Sequence, residues 1–114
     1  MNHLQCAETW SGTVAIVSAS GDVDLLTAPQ LEDAVAAALE RRPGNLIIDF
    51  SNVGFLGSAG MEVLINTHKS LPPGVRLAVV ADGPATSRPL QIIGLADTLD
   101  VVPSLDAALA ALTA

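Results

Sequence analysis

Ser58 lies in the run Phe55-Leu56-Gly57-Ser58-Ala59-Gly60-Met61-Glu62, where an apolar segment gives way to helical spacing. A hydroxyl so placed can cap a helix, attack a substrate, or receive a phosphate. As an N-cap it would contribute about 1 kcal/mol. As a nucleophile it departs from the Gly-x-Ser-x-Gly elbow, because its glycines stand at −1 and +2. A partner base is also lacking: His3 is near the start of the chain, and His68 lies ten residues further along the same helix, about 15 Å away. His68 falls on the apolar stripe and reads as a packed residue. As a phosphate acceptor Ser58 is well placed, since the free N–H groups and partial positive charge of a helix start stabilise an anion. Gly57 and Gly60 keep bulk away from the hydroxyl. Asp22 and Asp24 form an acidic turn that either caps the next helix or presents a negative patch. Glu62, one turn into the helix, reads as solvated or as part of the same surface. Two histidines and one cysteine show no metal-ligand spacing, and no Walker or dinucleotide pattern occurs. An enzymatic site is poorly supported, and no cofactor or metal is expected.

The elements that must position these residues follow from periodicity. Residues 3–9 and 13–20 read as strands joined by a turn at Ser11-Gly12, the second rich in β-branched residues. Residues 29–41 give a helix with Pro29 in its first turn and a stripe of Leu31, Ala34, Val35, Ala38 and Leu39. A short strand at 46–50 precedes a loop and a helix over 58–70, whose stripe is Met61, Leu64, Ile65 and His68. Residues 75–80 are a strand, 86–93 a helix closing at Gly94 with Pro89 inside it, and 98–102 a last strand. Ser104 caps a final helix with the stripe Leu105, Ala108, Leu109 and Leu112.

The order ββαβαβαβα predicts an α/β fold with a mixed, mostly parallel sheet of five strands and four helices. One register of the strands is apolar throughout (Leu46, Ile48, Phe50; Val75, Leu77, Val79), whereas the other contains Asp49, Arg76 and Asp100. Most helices should therefore cover one face and leave the other partly open. Asp49 and Arg76 are expected to pair across adjacent strands.

Bulk properties narrow the function classes. The 114 residues are half apolar and read as a single domain, 1–114. Five basic residues against twelve acidic ones give a net charge of −7, which repels a phosphate backbone and argues against nucleic acid. No apolar run approaches the length of a membrane span, and the N-terminal segment lacks the regions of a signal peptide. The single cysteine, Cys6, fits a reducing compartment. A cytoplasmic protein without a membrane contact is expected, and its open polar sheet face and net charge favour a monomer.

Three stretches, in order along the chain, resemble one family. Leu46–Leu64, LIIDFSNVGFLGSAGMEVL, is similar to the signature of STAS domains, and of bacterial anti-sigma factor antagonists in particular. Its features are the Asp49-Phe50-Ser51 strand end, the Val53-x-Phe55 pair and Ser58-x-Gly60 opening a helix. Gly21–Pro29, GDVDLLTAP, resembles the family's Gly-x-Leu-Asp-x-x-Thr-Ala turn, and Ile93-Gly94-Leu95 its Gly-Leu closure of the penultimate helix.

The resemblance implies a βα superhelix and a partner switch. The serine matching Ser58 would be phosphorylated by an anti-sigma factor that is a serine kinase, and dephosphorylated by a PP2C-type phosphatase. The unmodified protein would hold the anti-sigma factor and free a sigma factor for transcription; the phosphorylated one would let go. ATP would belong to the partner, and this chain would catalyse nothing. The implied contact surface comprises Asp22, Asp24, Thr27, Gly57, Ser58, Ala59, Gly60, Met61 and Glu62. One departure stands out: the family commonly has an acidic residue where this chain has Gly57. Alternatives are a STAS-type subunit or sensor of another signalling or transport assembly, and a small ligand-binding or hydrolytic α/β protein using the loop at Ser58.

Overall fold

A computed structural model describes residues 3–113, so residues 1, 2 and 114 of the expected domain lie outside the described residues. Its elements in chain order are β1 (Leu4–Ser11), β2 (Val14–Val23), α1 (Ala28–Glu40), β3 (Asn45–Leu56), α2 (Ser58–Ser70), β4 (Arg76–Val80), α3 (Ser87–Ile92), α4 (Leu95–Thr98), β5 (Asp100–Val102) and α5 (Leu105–Thr113). The five strands form one sheet in the order β1-β2-β3-β4-β5. β1 is antiparallel to β2, and every other pairing is parallel. The α/β class, the five strands and the mostly parallel sheet agree with the sequence reading.

Successive crossovers between neighbouring strands share one hand, and so they stack their helices on one side. Leu46, Ile48 and Phe50 of β3 face that side with Leu77 and Val79 of β4, and they meet Leu31 and Val35 of α1 and Leu64 of α2. α5 is different. It packs Ala108 and Leu112 against Ile16, Ile47, Ala78 and Val80 on the second face. That face is open beyond α5, where Ser18 and Asp49 are register partners.

Several boundaries differ from the sequence reading. The hairpin turn is Gly12-Thr13, with Ser11 opposite Val14. β2 runs past Gly21, and β3 runs to Leu56, six residues beyond the expected end at Phe50. Two register shifts, between Ser18 and Ser20 and between Gly21 and Asp22, break the alternation there, so a paired segment reads as a loop. The third helix closes before Gly94, as expected, and the φ of +81° at that glycine reverses the chain into a further short helix, α4, where the sequence reading had none. Thr98 is consequently helical, and β5 begins only at Asp100. Pro89 occupies the third position of α3, where its missing N–H would have had no intrahelical partner. The Asp49–Arg76 pair does not form. Arg76 stands opposite Asn45, and its guanidinium meets Asp100 at 3.5 Å on the surface. Ser104 caps α5 as expected, accepting the Ala107 N–H at 3.1 Å.

Candidate functional site at the start of α2

β2 and β3 deliver the site. Their last paired residues are Gly21 with Val53, Asp22 with Phe55, and Val23 with Leu56. The Gly57 N–H donates to the Val23 carbonyl at 2.8 Å, fastening the entry of α2 to the end of β2. From there one chain enters the Asp24–Thr27 turn and α1, and the other enters α2. The two segments singled out in the sequence are therefore joined at the carboxyl edge of the sheet, where α/β proteins place their sites.

Ser58 is the first helical residue of α2 and not its cap; that position belongs to Gly57, with φ −91° and ψ 177°. The N-cap reading of Ser58 fails for this reason. Its side chain is exposed, and among the described residues its hydroxyl has no hydrogen-bond partner. The Gly60 and Met61 N–H groups both turn to the Gly57 carbonyl, at 3.1 and 3.2 Å. The N–H groups of Ser58 and Ala59 are left free at the positive end of the helix dipole. An anion attached to Ser58 would meet that field.

The glycines act differently from expectation. Gly57 has ordinary extended angles, so any residue could hold its backbone. Gly60 is required by packing: a Cβ there would lie 2.5 Å from Val23 Cγ1 and 2.6 Å from Leu56 Cδ1. It lets α2 approach the sheet closely. That approach leaves Ser58 and Glu62 exposed, with Ala59 and Met61 half-buried.

Thr27 does not lie on the surface. It is only 7% exposed, with its hydroxyl donating to the Asp22 carbonyl at 2.7 Å and accepting the Asp24 N–H at 2.9 Å. Asp24 answers by accepting the N–H groups of Leu26 at 2.9 Å and Thr27 at 3.0 Å. Asp24 and Thr27 thus hold the turn in one shape, while the half-buried Asp22 lies at the strand end beside Phe55. His68, expected in the core, is exposed in the last turn of α2; Val63, Leu64 and Thr67 carry the buried stripe with Gly60. No base is hydrogen-bonded to Ser58 among the described residues, and no group of three His, Cys, Asp or Glu side chains there could hold a metal ion.

Sequence reasoning missed the apolar residues around the hydroxyl. Leu25 and Leu26 are each 80% exposed and Phe55 is 52% exposed. The signal was present, since two leucines within an acidic turn have no core to enter.

The comparisons with known proteins meet this geometry directly. The STAS domain model matches residues 8–108. The chain belongs to the STAS-domain family. It is 40% identical over 96 residues to the anti-sigma-F factor antagonist RsfB of Mycobacterium tuberculosis, spanning 84% of this chain and 79% of that one. The crystal structure of an anti-sigma factor antagonist from Mycobacterium paratuberculosis superposes with a TM-score of 0.95 at 40% identity, covering 98% of this chain and 96% of the other. The phosphorylated form of the Bacillus cell fate determinant SpoIIAA shares the fold, with a TM-score of 0.67 at 15% identity over 96% of this chain and 99% of that one. Within this STAS domain, the surface implied by the resemblance divides in two. Asp22, Asp24, Ser58, Ala59, Met61 and Glu62 are exposed or half-buried, whereas the buried Thr27 and Gly60 shape the surface from beneath. Among the described residues, no helix is long and apolar enough to cross a membrane.

Proposed function

We propose that this chain is an anti-sigma factor antagonist, and that phosphorylation of Ser58 decides whether it holds its partner. The observation that carries this reading is the exposed, unbonded Ser58 hydroxyl at the first position of α2. The chain's likeness to two anti-sigma factor antagonists at 40% identity supplies the partner class. The partner is an anti-sigma factor that is itself a serine kinase and brings the ATP; a PP2C-type phosphatase reverses the modification. The unmodified chain binds the anti-sigma factor and releases a sigma factor in the cytoplasm. The chain is a ligand and a substrate, and it catalyses nothing itself.

Electrostatics gives the switch its size. A phosphoserine adds about −1.5 to −2 charges and three acceptor oxygens. Free, it is stabilised by the open N–H groups at the start of α2. Against a close-fitting partner it must be desolvated beside Asp22 and Glu62, at a cost of about 2–5 kcal/mol. That corresponds to a loss of affinity of roughly thirtyfold to several thousandfold. The competing hydrolytic reading would need a base near the hydroxyl, and His68 stands exposed at the opposite end of α2.

Incubation with a purified anti-sigma-F factor and ATP, followed by peptide mass spectrometry, tests the assignment. One phosphoryl group on Ser58, absent from Ser58→Ala, is expected. Modification at another hydroxyl, such as Ser51 or Thr86, would remove Ser58 from its role.

A further inference from the structure

The turn between β2 and α1 exposes Leu25 and Leu26 to water at 80% each, more than any other large apolar side chain among the described residues. They are not held out by chance. Asp24 Oδ1 fixes the Leu26 and Thr27 N–H groups at 2.9 and 3.0 Å. The Thr27 hydroxyl ties back to the Asp22 carbonyl at 2.7 Å, and the Ala28 N–H reaches the Asp24 carbonyl at 2.8 Å. A backbone closed on itself in this way holds both leucines at the surface on a fixed turn. Leu25 also borders a shallow groove between α1 and α2, with Pro29, Glu32, Ala59 and Glu62 along it. The groove joins Leu25 to Ala59, the residue next to Ser58.

We propose that Leu25 and Leu26 are a preformed apolar anchor that inserts into an apolar cleft with a basic rim on the anti-sigma factor, supplying affinity while Ser58 supplies the switch. This rests on the antagonist reading above. Two observations choose the occupant. The leucines are flanked by Asp22, Asp24, Glu32 and Glu62, so the surface that covers them must bring cations. A second copy of this chain would bring a net charge of −7 against the same acidic flank. Apolar side chains carried on a backbone that is already fixed require little further backbone ordering on binding, which favours a few residues dominating an interface.

The test is titration calorimetry with a purified anti-sigma-F factor, comparing the unmodified wild type, the double variant Leu25→Ser/Leu26→Ser and the milder Leu26→Ala. Because the side chains are exposed, the thermal midpoint of each variant should match the wild type. Affinity is expected to fall at least tenfold in the double variant and severalfold in Leu26→Ala, while Ser58→Ala binds like the wild type. Wild-type affinity in both leucine variants would overturn the anchor and leave the antagonist reading standing. A wild type that fails to bind would overturn that reading and the anchor with it. Sedimentation of the chain alone provides the remaining outcome: a dimer abolished in the double variant would assign the leucines to self-association and overturn the proposal.

Discussion

The hydroxyl of Ser58 is open because two neighbours differ in what they do. Gly60 lets α2 settle on Val23 and Leu56, and Gly60→Ala should destabilise the fold by about 1–3 kcal/mol through overpacking, read as a lower urea midpoint. Gly57 is free to change, since its angles suit any residue and a Cβ would meet the exposed Phe55 ring at 3.1 Å and the Val23 carbonyl oxygen at an ordinary 3.5 Å. Gly57→Asp should therefore fold normally. If an acid at this position orients the hydroxyl for a kinase, the same variant should be phosphorylated faster than wild type; an unchanged rate would show that Gly57 is no handicap. Thr27 links residue to surface. Thr27→Val leaves the Asp24 N–H without its acceptor, at a cost of about 1–3 kcal/mol, and it should loosen the turn enough to weaken partner binding as well. Stability and affinity measured on one preparation would separate the two effects. Elsewhere, burial raises the Cys6 thiol above its usual range. Its maleimide labelling near neutral pH should be slower than that of free cysteine, and should accelerate only as pH approaches the raised value.

At the scale of elements, α5 is the part least determined by the strand-helix alternation. It closes the second face over Ile47, Ala78 and Val80. Ile47→Ala should then cost about 2–5 kcal/mol, as much as a comparable change on the first face, and denaturant melts would check this. A small loss would mean that α5 covers the sheet only loosely. The sequence made the parallel core legible because Leu46, Ile48 and Phe50 alternate cleanly and each crossover helix carries an apolar stripe. It hid the ends of β2 and β3, where the register shifts displace Val53 and Leu56 from strict alternation. It misplaced His68 because Thr67 takes the buried position on α2. It paired Asp49 with Arg76 because residue type was visible and register was not. The site was legible as a serine and an acidic turn. The burial of Thr27 and the exposure of Leu25 and Leu26 depend on how the Asp24–Thr27 bonds close the turn, and composition alone cannot show that.

Across the whole molecule, charge follows the direction of the strands. Arg41, Arg42, Lys69 and Arg76, four of the five basic residues, stand at the ends of α1 and α2 and the start of β4, at the amino edge of the sheet. Asp22, Asp24, Glu62 and Asp82 gather toward the carboxyl edge, which holds Ser58. The chain is thus polarised, and a basic partner would be steered to the end that carries Ser58. Its association should slow as salt is raised from low to physiological ionic strength, while dissociation changes less. In the proposed switch, an added anion at Ser58 ejects a partner that the bare hydroxyl admits. The most direct measurement is the affinity of one purified anti-sigma-F factor for the chain carrying phosphoserine at 58 and for the unmodified chain, taken side by side in the same buffer. At least tenfold weaker binding of the phosphorylated form is expected; equal affinities would contradict the switch.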